Sequence, residues 1–423
     1  MLIFDPDFNE INMAKIVFLM DTEEGHIIPS FGLANSLKRN GHVVTYLSIL
    51  DNEGLVREQG FDFYPILEKI YYKGYKKKHK ETMRLQGVRN NVGELEKEYI
   101  EHIDNLIKGA YDDLLKQIGA DLYIISTFLH TDTLIMHYKY NISPVIFTPF
   151  LRESGRTPSS DCHDYFNNVP PEEILKVIDS FGEQGINLTS LTQLVEPMDS
   201  FCEIVVCPRE LDIIQHSVRN NVHYIGPSIR NEIIEENDDP YQDIPPGKQI
   251  IFASMGSQAA RYGETSTLFF NKLIRIMRTA ELGGCHLILA LGSDFSIDGL
   301  ELLPTNVSIK KWVPQISILQ KASLAIMHGG LGSIKECIYF GVPMIIFPMG
   351  YDQPLNARRV QYHGLGLEGN IEDISETELK NHILYVKDDS EIRNNIDRMR
   401  CVFVEKEHSD LGTAIIEKIL VER

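Results

Sequence analysis

The sequence predicts an α/β protein built from two doubly wound, Rossmann-like parallel-sheet domains, and three observations carry that reading. Short apolar, β-branched runs alternate with helical patterns along almost the whole chain, as parallel strands covered by helices on both faces require. A chain of 423 residues is too long for one ordinary core. Residues 230–247 are acidic, proline-containing and nearly devoid of core residues, and Lys248-Gln249-Ile250-Ile251-Phe252 then restarts a strand.

Strands are expected at 15–20, 42–48, 122–126, 144–148 and 203–207 in the first half. In the second half they are expected at 249–255, 286–291, 307–310, 324–327 and 343–347. Residues 1–12 carry Asp5, Asp7 and Glu10 and no basic residue, so they do not form a secretory signal. They read as a disordered extension before a first domain at 13–229, the linker 230–247 and a second domain at 248–404. Leu411, Ala414, Ile415, Ile419 and Leu420 give the end of the chain, 405–423, the pattern of a closing amphipathic helix. Open α/β sheets bind ligands beyond the carboxyl ends of their strands, so the loops there should carry the chemistry.

Composition excludes several classes. The chain is 43% apolar and 24% charged, as a soluble globular protein is. A net charge of −19 repels phosphate backbones, which argues against nucleic acid as a partner. No run reaches the roughly 18 apolar residues that an integral membrane span needs. Six scattered cysteines make neither a disulfide framework nor a zinc site. Cytoplasm is the default compartment, and a monomer or homodimer the expected state.

The informative block runs Trp312-Val313-Pro314-Gln315, His328-Gly329-Gly330-Leu331-Gly332-Ser333, Glu336, Gly341-Val342-Pro343, Pro348, Asp352-Gln353 and Asn356. His328-Gly329-Gly330 follows an apolar strand and opens a helical stretch. Glycines at such a turn let backbone N–H groups approach an anion, and the helix N-terminus favours negative charge, so a diphosphate suits the spot. His328 and Ser333 can add hydrogen bonds. Glu336, one turn further on, could accept two ribose hydroxyls, and Trp312, the single tryptophan, could stack on a base.

In that order and spacing, the block resembles the donor signature of the UDP-glycosyltransferase superfamily, inverting enzymes of the GT-B fold in which two Rossmann-like domains face a central cleft. The resemblance implies an acceptor-binding first domain and a nucleotide-sugar-binding second domain. It implies that Trp312 stacks on uracil, with the Val313 backbone bonding the base. Gln315 and Glu336 would hold the ribose, His328, Gly330, Gly332 and Ser333 the diphosphate, and Asp352 and Gln353 the sugar hydroxyls. Ser254-Met255-Gly256-Ser257 resembles the family's second phosphate loop, with Ser257 as its contact. The plant signature has Asn where this chain has Gly332, a form closer to bacterial members.

Gly25-His26 follows the first strand, and Pro29 marks a helix start. An imidazole titrates near operating pH, which suits a general base, and the resemblance implies that His26 removes the acceptor proton. The family's partner aspartate falls at Ser126 on ungapped counting. Asp132, carried forward beside His26 in the catalytic set, or Asp21 would then substitute, or His26 acts with weaker support.

Tyr71-Tyr72-Lys73-Gly74-Tyr75-Lys76-Lys77-Lys78-His79-Lys80 reads as a solvated loop. The only Asp-x-Asp triplet is Asp5-Pro6-Asp7, so no catalytic metal and no cofactor are expected; the nucleotide sugar is a co-substrate. The expected activity is sugar transfer from a UDP- or dTDP-sugar, UDP favoured, to a small-molecule acceptor of natural-product type. The alternatives are a nucleotide-sugar epimerase or hydrolase, or a silent partner or sensor subunit.

Overall fold

Ile16, Val17, Phe18 and Leu19 form an uninterrupted buried run in strand β1 (Lys15–Leu19), as a strand covered on both faces must. The computed structural model describes residues 13–79, 82, 92–182, 184–213, 219–229, 241, 244–256, 259–292 and 295–423. The expected extension at 1–12, most of the linker and Ser257 lie outside the described residues. β1 is followed by β2 (Val43–Ser48), β3 (Asp62–Pro65), β4 (Leu122–Ser126), β5 (Val145–Thr148), β6 (Cys202–Val205) and β7 (Val222–Tyr224). These pair in parallel in the order β3-β2-β1-β4-β5-β6-β7. Successive side chains go to opposite faces. Val17, Leu19, Tyr123 and Ile125 therefore join one core, and Ile16, Phe18, Ile124 and Phe147 the other.

The second sheet repeats the winding. Strands β8 (Gln249–Ser254), β9 (Cys285–Ala290), β10 (Val307–Lys310), β11 (Ala322–Met327), β12 (Met344–Ile346) and β13 (Gly366–Glu368) lie parallel in the order β10-β9-β8-β11-β12-β13. Two doubly wound α/β sheets are thus present, each with helices packed on it. In each, strand order reverses beside its first strand, between β1 and β4 and between β8 and β11. Loops at the carboxyl ends of those strands flank a crevice suited to a ligand.

The three strands absent from the sequence expectation, β3, β7 and β13, are all edge strands. They are short and only partly buried, so they lack the continuous apolar run that betrays an interior strand. Residues 75–79 are helical rather than a loop. Lys76 Nζ bonds Glu24 and Asn52, the Gly74 and Lys76 N–H groups donate to Asp51, and Tyr75 donates to Glu98.

The chain divides into two compact units. One holds the described residues of Met1–Val206, His216–Ser228 and Asp410–Arg423, the other those of Cys207–Gln215 and Ile229–Ser409. Cys207–Gln215 joins the second unit because Arg359 Nε donates to Asp212 at 3.0 Å and His363 Nε2 bonds the Leu211 carbonyl at 3.0 Å. The closing helix, Leu411–Val421, joins the first, where Gly412 lies close against Leu33 and Ile225. No helix among the described residues is long and apolar enough to cross a membrane.

Candidate active site

In the first unit the chain leaves β1 at its carboxyl end and turns through Asp21 into a one-turn helix, Glu24–Ile27, that carries His26. Asp21 Oδ1 accepts the Glu23 N–H at 3.0 Å, the side-chain-to-backbone bond that aspartate favours in turns. The same oxygen lies 2.8 Å from His26 Nδ1. Its second oxygen accepts the Ser126 hydroxyl at 2.5 Å, from the end of β4. Ser48 Oγ and Asn52 Nδ2 donate to the Asp21 carbonyl at 3.2 and 3.1 Å. Burial pushes the Asp21 carboxyl up, but the His26 charge and the bonds from His26, Ser126 and the Glu23 backbone prevail and hold it below its usual value. A carboxylate on Nδ1 fixes the tautomer, makes Nε2 the nitrogen able to take a proton, and favours the imidazolium that results.

Asp132 does not meet His26. It sits on the first turn of the helix His130–Tyr140, 2% exposed, accepting from Tyr111 OH at 2.5 Å and bonding His102 Nε2 at 2.9 Å. Both carboxylate oxygens are engaged in a buried network, which Tyr71 OH extends through His102 Nδ1 at 2.9 Å. The partner of His26 is Asp21, from the strand end adjacent to the one where the family pattern has its aspartate.

In the second unit, the helix Leu331–Phe340 begins at Gly330 with no side-chain cap. Its first N–H groups therefore have no capping partner from the Gly330 position. Gly329 adopts φ 93°, and a Cβ there would lie 2.7 Å from Ile346 Cγ2. Gly256, after β8, has φ 71° and would drive a Cβ to 2.4 Å from the His328 ring. The two loops thus close on each other at the crevice between β8 and β11. Burial pushes the His328 imidazole down to about 4, against a backbone hydrogen bond at Ser254 that raises it. His328 is neutral at pH 7 and can offer an N–H to a phosphate, not a charge.

Gln315, Ser333 and Glu336 come together. Gln315 Nε2 donates to Glu336 Oε2 at 2.5 Å and to Ser333 Oγ at 3.2 Å. Glu336 is 5% exposed, whereas Trp312 leaves 65% of its surface open, unusual for the one tryptophan. Val313 is buried. Gly332 is exposed, and a Cβ there would meet nothing within 4 Å. Gln353 Oε1 is occupied in closing its own loop, accepting the Met349 and Gly350 N–H groups at 2.8 and 3.2 Å. Asp352 Oδ2 accepts from Asn356, whose Nδ2 also reaches the Gly329 carbonyl at 3.0 Å. Asn356 thereby ties the Asp352 turn to the Gly329 turn, a role its position in the signature did not reveal.

The description "Erythromycin biosynthesis protein CIII-like, C-terminal domain" fits residues 280–408. The NDP-glycosyltransferase YjiC of Bacillus subtilis is 25% identical over 410 residues, covering 94% of this chain and 95% of its own. The chain is similar over nearly its whole length to glycosyltransferases of the UDP-glycosyltransferase type. The solved glycotransferase of kitacinnamycin superposes with a TM-score of 0.75 at 21% identity, covering 97% of this chain and 100% of that one. The glycosyltransferase VinC, solved in complex with dTDP, gives 0.67 at 15% identity over 97% and 100%. This glycosyltransferase carries His26 and Asp21 at the switch point of one sheet and the donor signature at the switch point of the other.

Proposed function

We propose that the protein moves a sugar, with inversion, from a nucleotide diphosphate sugar to a hydroxyl of a small-molecule acceptor, with His26 as general base and Asp21 as its partner. The observation that carries this reading is the Asp21–His26 contact of 2.8 Å beside β4 at a strand-order reversal. His26 Nε2 takes the acceptor proton as the oxygen attacks the anomeric carbon, and Asp21 steadies the imidazolium. The uncapped start of Leu331–Phe340 and the neutral His328 N–H stabilise the charge that grows on the leaving diphosphate.

UDP is the favoured nucleotide because Glu336, aligned by Gln315, supplies a carboxylate for ribose hydroxyls, and dTDP has one fewer. Calorimetry distinguishes the two. Glu336→Ala should weaken UDP binding by roughly 1–3 kcal/mol and dTDP binding by less. Equal losses would remove the nucleotide preference. For the chemistry, His26→Ala should lower kcat by about 10²–10⁴ with donor affinity nearly unchanged. Near-normal turnover by His26→Ala on an alcohol acceptor would show that the proton leaves another way. NMR of the glycoside's anomeric coupling reports inversion directly.

A further inference from the structure

Phe128 is a large apolar residue left 39% exposed, two residues beyond the end of β4. Its ring lies nearly parallel to the His26 imidazole, with centroids 3.9 Å apart and planes 14° from parallel. It does not stand alone. Phe150 packs behind it at 5.4 Å, and the Arg152 guanidinium lies 5.3 Å from the Phe150 centroid. Arg152 is itself fixed by ion pairs with Asp161 and Glu203 and by a 2.9 Å bond to Thr127, the residue before Phe128. An exposed ring held this firmly has a use other than core packing.

We propose that Phe128 is a positioning residue for His26. Stacked on the imidazole, it fixes the plane in which Nδ1 faces Asp21, and its π-face steadies the imidazolium that forms as the acceptor proton arrives. Asp21 constrains the imidazole along its edge and Phe128 constrains it on its face, so the base keeps one orientation through the reaction. The inference rests on His26 being the base. Among the described residues, the charged groups near the imidazole include Asp21 and Glu23 in the preceding turn, Glu24 on its own helix with Lys76 bonded to it, and Arg152 beyond Phe150. A Phe128 substitution leaves each of these residues in the sequence, so a shift of the acid limb that Phe128→Tyr reverses belongs to the ring.

The test compares the full-length wild type, Phe128→Leu, Phe128→Tyr and His26→Ala for kcat, both KM values and the pH profile of kcat. Phe128→Leu should lower kcat by about tenfold, since one stacking contact is of that order, with donor KM unchanged. The acid limb of its profile should move to lower pH, because the imidazolium loses its aromatic face. Phe128→Tyr, which restores a ring, should recover both. A Phe128→Leu enzyme that raises only the acceptor KM would make Phe128 a wall of the acceptor site and overturn the proposal. So would a Phe128→Tyr enzyme as impaired as Phe128→Leu. If His26→Ala abolishes turnover while Phe128→Leu is unaffected, this inference fails and the base assignment stands. If His26→Ala remains active, both fall.

Discussion

Asp21 and Asp132 are both buried carboxylates of the first unit, and their partners give them different work. Asp21 faces an imidazole 28% exposed, whereas Asp132 is enclosed by Tyr111 and His102. Asp21→Asn should therefore cost kcat, while Asp132→Asn should cost about 1–3 kcal/mol of stability by unpairing a buried network and leave the pH profile of kcat in place. A changed acid limb in Asp132→Asn would return that residue to the mechanism. Ser126→Asp should lower the rate, because it sets a second carboxylate against Asp21, where two like charges disfavour each other's ionisation. Stability follows the same carboxylate. Its folded value lies below its ordinary value near 4, so its contribution is fully present above about pH 4 and is lost as pH falls through the lower folded value. The melting-temperature gap between wild type and Asp21→Asn should close as pH falls below about 4. A gap that instead widens below about pH 4 would refute this sign. The sequence left the partner open because Ser126 occupies the expected position. Only the side-by-side placement of β1 and β4 shows that Asp21, with Ser126 bonded to its second oxygen, brings the carboxylate to the imidazole.

The helix Leu331–Phe340 is the element on which the donor reading depends. Its glycines were legible as a phosphate turn, but their separate duties were not, because a sequence does not show what a Cβ would strike. Gly329 is fixed by Ile346 and by its positive φ, so Gly329→Ala should destabilise the second unit by about 1–3 kcal/mol and weaken nucleotide binding with it. Gly332 is under no such constraint. Gly332→Asn places an amide where the plant signature has one and replaces a helical glycine, so melting should rise by up to about 1 kcal/mol in stability without ligand. Nucleotide-sugar affinity should also improve, by about 0.5–1.5 kcal/mol for one added hydrogen bond. Weaker binding in Gly332→Asn would mean the diphosphate needs the bare backbone there. Interior strands such as β4 and β9, buried along their whole length, were legible from their apolar runs. The edge strands β3, β7 and β13 were not, since half-buried residues at a sheet margin read like loop.

Across the whole molecule, the donor constellation was easier to read than the base because it is nearly continuous in sequence, from Trp312 to Asn356 across loops of one sheet. The assignment of Cys207–Gln215 to the second unit was not readable at all. It depends on Arg359 meeting Asp212 across 147 positions, which no local pattern encodes. On the proposed function, the same scale decides how the leaving diphosphate would be stabilised. Enzymes that hold a cation there need carboxylates to bind it, commonly as Asp-x-Asp, and the only such triplet in the chain is Asp5-Pro6-Asp7, outside the described residues. The second unit instead presents an uncapped helix start beside a neutral histidine donor, a fixed dipole that needs no ion. Turnover should therefore persist in EDTA, and a chain beginning at Met13 should retain it, which tests the triplet separately. The nucleotide alone should raise the melting point without added metal, by an amount matching about 2.7 kcal/mol at 100 times its dissociation constant. Turnover lost in EDTA and restored by magnesium or manganese would mean that helix dipole and histidine do not suffice. Survival of transfer in EDTA, with its loss in His26→Ala, would place the acid–base chemistry on the first unit and the electrostatic work on the second.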